Sequence, residues 1–379
     1  MNKKKTFSSM LLSGAMLMTM STSVFAAGPA TGTVKTIATG TPEAPAKATV
    51  TKNLEFAEGI TVPGYSFDFT AKGVTKDAPT ATINSATYTK GEATGTLDPA
   101  NRVYNVEKTS EVKFASAFPH AGLYEYDVTE NQGADNGMTY SKKQYRLRVY
   151  VANHTDSNGN NKLYIKSVTA QDEGGKQDKL SFKNTYRRNG GEEDKDKTKQ
   201  SEALIIEKQT VGDLADKTKL FDFKLKLTKA GTTEDNTVTG KIIGDNRNEK
   251  VEFTYGAEQE FKLRDGDKLV FEKLPAGTRY KAVEVGANDG YTPTVNVIEN
   301  GQSHTATAVT EEADLSSVKE GTDTSLVGEK QNKVTFVNKY QDVSVTGVIT
   351  NNMPFIVLAG LSAGAFIVLS VAKKKKISE

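Results

Sequence analysis

Tyr124-Glu125-Tyr126-Asp127-Val128-Thr129-Glu130 alternates apolar and polar side chains, then breaks its own rule at the last position. A period of two predicts a half-buried β-strand. Side chains two apart point the same way, so Glu130 shares a face with Tyr124, Tyr126 and Val128. A carboxylate on an apolar face is costly unless it is paired. Tyr280-Lys281-Ala282-Val283-Glu284 ends the same way, with Glu284 following Tyr280 and Ala282.

Two further polar residues break strand patterns in each half. Lys52 lies on the face of Val50, Leu54 and Phe56, and Lys208 on the face of Leu204 and Ile206. Asn184 follows Leu180 and Phe182, and Asn338 follows Val334 and Phe336. The spacings nearly coincide: 130 − 52 = 78 against 284 − 208 = 76, and 184 − 130 = 54 against 338 − 284 = 54. A solvated strand end explains any one of these residues. Two triplets with the same parity and spacing point instead to a reaction between Lys and Asn assisted by Glu.

The surrounding sequence predicts an all-β chain. Tyr145–Val151, Phe67–Phe69 and Phe221–Leu227 alternate with period two, and Asn136-Gly137, Asn158-Gly159, Asp265-Gly266 and Asp289-Gly290 mark turns between strands. No long segment of helical period interrupts them. Each half carries a Lys strand, then Phe-Asp-Phe, then Pro-x-Ala-Gly or Pro-Ala-Gly before a Tyr-rich strand ending in Glu, and closes on aromatic-x-Asn. This is a divergent tandem duplication with a period too long for a solenoid, and it predicts two β-sandwiches.

The expected organisation is a signal peptide over 1–26, a flexible lead-in over 27–47, a sandwich over 48–186, a polar linker over 187–202, a second sandwich over 203–341 and a sorting segment over 342–379. Lys3, Lys4 and Lys5 precede a short apolar stretch and Val24-Phe25-Ala26, the layout of a secretory signal. Residues 353–372 are apolar and long enough to span a bilayer, and Lys373–Lys376 follow as a stop-transfer cluster. The chain has 0 Cys, so an extracellular protein of this kind must be stabilised without disulfides. The net charge of +2 becomes 2 − 7 + 1 = −4 once the seven Lys and one Glu of the two end segments are removed. A slightly acidic body argues against nucleic acid as a partner. His120, His154 and His304 are scattered, so no metal cluster or catalytic triad is expected, and no cofactor. Asp156–Asn161 reads as a hairpin turn, since it lacks the distal bidentate Glu of a hand-type calcium loop.

Burial lowers a Lys pKa and raises that of Glu. The neutral amine of Lys52 or Lys208 is then a nucleophile. A protonated Glu130 or Glu284 is expected to hydrogen-bond the Asn side-chain carbonyl, polarise it and shuttle protons. Attack on Asn184 or Asn338 expels ammonia and leaves a Lys–Asn isopeptide bond.

The motifs Thr49-Val50-Thr51-Lys52-Asn53-Leu54, Tyr124–Glu130, Phe182-Lys183-Asn184 and Phe336-Val337-Asn338, with Gly137–Tyr140 and Tyr145–Val151, resemble those of the backbone pilins of Gram-positive bacteria, of the streptococcal T-antigen type. The resemblance covers nearly the whole mature chain. It implies two Ig-like sandwiches, each closed by an isopeptide bond. It also implies a non-enzymatic structural subunit that a sortase joins to identical subunits and anchors to the cell wall, after transient membrane retention through the C-terminal segment. Ancillary pilins and a host-surface ligand are its further implied partners. The sorting motif matches Val343-Ser344-Val345-Thr346-Gly347, which keeps Thr-Gly but lacks the usual Pro. The acceptor Lys matches Lys176, with Lys179 its rival. A wall-anchored adhesin or ancillary pilin built from the same domains is the alternative. A secreted enzyme is disfavoured, because no other chemistry-bearing constellation stands out.

Overall fold

The computed structural model describes residues 35–192, 202–287, 289–307, 314–319 and 321–340. The signal peptide, the sorting motif Val343–Gly347 and the apolar segment 353–372 lie outside these residues, as does most of the expected linker. Among the described residues every regular element is a strand. None is a helix long and apolar enough to cross a membrane.

In the first sandwich the strand Thr49–Ala57 runs parallel to Leu180–Tyr186 and antiparallel to Val103–Phe114. Facing it is a sheet in which Gly122–Glu130 lies between Phe69–Gly73 and Gln144–Thr155, with Asn161–Asp172 beyond. The second sandwich repeats this core. Leu204–Val211 runs parallel to Lys333–Tyr340, and the facing sheet pairs Arg279–Glu284 with Phe221–Thr228. The first and last long strands of each domain are thus parallel neighbours. The first core packs Phe182 against Phe69 and Tyr145, with ring centroids 5.4 and 5.2 Å apart. The second packs Phe336 against Phe223 at 5.2 Å. Such aromatic pairs add to the area they bury.

Three expectations need correction. The lead-in is not free over its last residues: Ala38–Thr39 pairs with Val168 and Ser167, the Ala46 amide donates to the Ile165 carbonyl, and Ala46 is buried. The backbone groups of this segment complete a sheet edge, which its Ala- and Thr-rich composition does not reveal. The start of the linker is also bound. The amide of Arg187 donates to the Gly137 carbonyl, and those of Gly190 and Gly191 to the carbonyls of Leu274 and Gly328. Finally, Phe67–Phe69 is not one strand. Asp68 separates Ser66–Phe67, which pairs with Ala86–Thr87, from Phe69–Gly73. The Asp68 carbonyl accepts the Asn131 amide, and its carboxylate accepts the Ser85 hydroxyl, so the chain bends between two sheets. The equivalent Phe221–Thr228 is continuous. The segment Asp156–Asn160 does form the hairpin turn, its Asp156 carboxylate accepting the amides of Asn158 and Asn160.

The two sandwiches pack directly on each other. Ala230 and Ala276 of the second belong to the buried core of the first. Glu58 accepts from both Arg102 and Arg279, and Glu329 accepts from the Thr61 amide at 2.9 Å. Gly277 has a φ of +95°, and a Cβ there would lie 2.5 Å from that of Ala57, so the close approach requires glycine.

Candidate functional site

Strand register places the six residues. Lys52 is paired with Phe182, and Asn184 is two residues further along the same strand. Lys208 is paired with Phe336, and Asn338 is likewise two residues on. That step is about 6.6 Å along a strand, a distance an extended Lys stem can span. The Glu arrives from the facing sheet at one register in both domains, Glu130 opposite Phe69 and Glu284 opposite Phe223. Gly266, in the turn at φ +79°, donates its amide to the Lys208 carbonyl and helps hold that strand.

All six side chains are out of water: Lys52, Asn184, Lys208, Glu284 and Asn338 are 0% exposed and Glu130 is 4%. In the first set the Lys52 ammonium nitrogen lies 2.8 Å from Glu130 Oε2, and Asn184 Nδ2 donates to Glu130 Oε1 at 2.5 Å. In the second, Lys208 Nζ lies 2.9 Å from Glu284 Oε1, and Asn338 Nδ2 donates to the same oxygen at 2.6 Å. One carboxylate therefore bridges the nucleophile and the amide in each domain.

An aromatic ring covers each Lys. Lys52 Nζ sits 4.5 Å from the Phe67 centroid, and Lys208 Nζ 4.2 Å from that of Phe221. Burial lowers the Lys52 amine to about 8 against the pull of Glu130. The Lys208 amine falls to about 8 for the same reason, against the attraction of Glu284 and Asp265. Burial also raises the Glu284 carboxyl, partly offset by Lys208. Both shifts favour the neutral amine and the protonated acid.

One expectation is reversed. The Glu does not meet the Asn carbonyl; it faces the amide nitrogen, the atom that would leave as ammonia. A third group sets the orientation in each domain. The Ser141 amide donates to Asn184 Oδ1 at 2.8 Å, and Asn338 Nδ2 also donates to the Ala287 carbonyl at 3.3 Å. A flipped amide would put like groups together at either place.

Strand parity found all six residues. It missed Phe67, Phe221, Ser141 and Ala287. The Phe-Asp-Phe shared by both halves was a usable signal for the rings; nothing local marks the two loop peptides. Lys176 and Lys179 lie away from the buried sets and are exposed. Lys176 is held in the short strand Gly175–Gln177, paired with Gln171, whereas Lys179 lies in the bend that follows.

Residues 48–187 match the family model of the Spy0128-like isopeptide containing domain, and residues 202–340 match that of a domain of unknown function. No curated protein sequence matches the chain. Among solved structures, the major pilin of Streptococcus pyogenes is 23% identical over 78% of this chain and 99% of its own, with a TM-score of 0.36. The T3.2 major pilin of the same organism is 23% identical over 78% and 98%, with a TM-score of 0.34. A pilus-presented adhesin is 18% identical over 52% and 36%, with a TM-score of 0.25. The match to an isopeptide containing domain falls on the half of the chain that holds the first buried Lys–Glu–Asn set, and the second half holds the same set again.

Proposed function

We propose that the chain is the structural shaft subunit of a sortase-assembled surface pilus, and that each sandwich closes itself with one Lys–Asn isopeptide bond. The duplicated, fully buried Lys–Glu–Asn set carries this reading. A buried charge pair is weak evidence for stability in its own right, but a buried amine held with an amide by one shared carboxylate is arranged to react. The Glu takes the proton of the Lys ammonium. The freed amine attacks Cγ of the Asn, and the carboxyl delivers a proton to Nδ2. The C–Nδ2 bond breaks, ammonia leaves, and the Glu takes back a proton from the new amide nitrogen. Burial supplies proximity and excludes competing water. Each bond ties the first long strand to the last, so tension along the fibre passes through covalent links.

The two titrating groups act as one unit. Closure needs one proton on the pair, held by either partner. The rate is therefore flat between the raised Glu carboxyl and about 8. It falls above that as the proton is lost, and falls in acid as a second is bound. Before closure, the lowered Lys pKa has the opposite effect on stability. The unfolded chain holds the extra proton between about 8 and the ordinary Lys value, so the unlinked fold gains stability as pH rises through that window. The check is the rate of ammonia loss against pH, by intact mass, after an unlinked chain is diluted from urea. A rate that keeps climbing well above 8 would remove Glu284 as the proton carrier.

Between subunits, a sortase cleaves after Thr346 and joins it to Lys176, on the cell surface and finally to the wall. In this role the chain is a substrate and not an enzyme. The exposure of Lys176 and its fixed main chain support this choice. Lys176→Ala abolishes the covalent ladder of wall-released protein on denaturing gels, and Lys179→Ala leaves it. The reverse result assigns the acceptor to Lys179, and a ladder in both variants places it elsewhere.

A further inference from the structure

The two buried sets differ at one atom, the Asn side-chain oxygen. In the first domain Asn184 Oδ1 accepts the Ser141 backbone N–H at 2.8 Å. In the second, Asn338 Oδ1 is buried and has no hydrogen-bond partner among the described residues. When the Lys amine adds to the carboxamide carbon, the C=O π electrons move onto this oxygen. A backbone donor already aimed at this oxygen needs no reorganisation as the charge grows, and its bond strengthens with that charge.

The Ser141 peptide is held in place for this. Gln132 Nε2 donates to the Ser141 carbonyl at 2.7 Å, and its other contact is to the Glu130 carbonyl at 3.4 Å. Met138 and Thr139, just before, pair with the strand that carries Asn184. Ser141 is itself buried, so little water competes for the oxygen. The Ser141 hydroxyl points elsewhere, accepting the Lys143 amide at 3.4 Å.

We propose that the Ser141 backbone N–H is the oxyanion donor for closure of the first bond, and that the two domains consequently close at different rates, the first ahead of the second. This rests on the isopeptide reading above. The step balances as before: the Lys–Asn C–N bond forms, the C–Nδ2 bond breaks, and the negative charge on Oδ1 is transient. The chain needs no co-reactant.

The test uses the full chain, recovered unlinked from urea-solubilised aggregates, with each cross-linked peptide timed separately by mass after dilution into buffer. Ser141→Pro removes the N–H and slows the first domain by about 10²–10³-fold, while the second domain keeps its rate. That unchanged second bond separates the two ideas. If neither bond forms in wild type, the isopeptide reading fails. If Ser141→Pro folds and closes the first domain at the wild-type rate, the oxyanion assignment fails. Should Ser141→Pro not fold, the wild-type chain decides. A first bond that closes faster than the second supports the assignment, and a second bond that closes as fast or faster overturns it.

Discussion

Measured intact under denaturing conditions, the mature protein weighs about 34 Da less than its sequence, one ammonia of about 17 Da for each Lys–Asn bond. Asn184→Ala abolishes the first loss and Asn338→Ala the second, leaving in each variant a single deficit of about 17 Da. The stability consequence is large because the loops are long. The first bond encloses 184 − 52 = 132 residues and the second 338 − 208 = 130. Loop-closure entropy makes a cross-link of that span worth about 5 kcal/mol, acting through the unfolded chain. For a domain of this size that corresponds to a melting temperature about 15 °C lower when the bond is absent. Calorimetry on the wild type and the two Asn variants checks both shifts. A folded wild-type protein at the full sequence mass would refute the bonds.

Glu284→Ala is more damaging than Asn338→Ala, although both lose the same bond. In Asn338→Ala, Lys208 keeps its carboxylate at 2.9 Å. In Glu284→Ala that partner is gone, and Lys208 is left 0% exposed beneath the Phe221 ring. Removing one member of a buried ion pair costs about 3–5 kcal/mol. That adds to the roughly 5 kcal/mol of the missing link. The sum is comparable to the whole stability of an ordinary domain, about 5–15 kcal/mol. The second sandwich of Glu284→Ala is therefore expected to unfold at or near 37 °C while the first remains folded. Urea titrations followed by proteolysis of the second domain read the difference. Equal midpoints for the two variants would mean that Glu284 contributes nothing to solvating the buried Lys. Raising the pH rescues part of Glu284→Ala, since without Glu284 to hold its proton the buried amine is neutral in the fold while the unfolded chain still carries that proton up to the ordinary Lys range.

Much of the site was legible because its defining signal is local. Parity along a strand depends on residues two apart, so Lys52, Glu130, Asn184, Lys208, Glu284 and Asn338 were each assigned to an apolar face within a few neighbours. The duplication then linked them, since the same spacings recur on either side of the polar segment after Tyr186. The organisation of the fold was less legible at its margins. Ala38–Thr39 has no strand pattern of its own, and Val168 and Ser167 supply the partner groups from far along the chain. Asp68 sits in the middle of an alternating run, yet Asn131 and Ser85 turn the chain there.

By itself the sequence determined which six side chains are withdrawn from water and which strands carry them, because alternation is a property of the extended backbone. Only the tertiary structure decided how each set is wired. Glu130 and Glu284 cross from the facing sheet, Phe67 and Phe221 roof the amines, and the Glu meets the amide nitrogen instead of its oxygen. Ser141 and Ala287 orient the two amides through backbone groups that any residue but proline offers, so no side-chain pattern announces them. Such contacts join segments that meet only when the two sheets pack. Their geometry is set by that packing, and among the described residues it distinguishes a site with a donor on the reacting oxygen from one without.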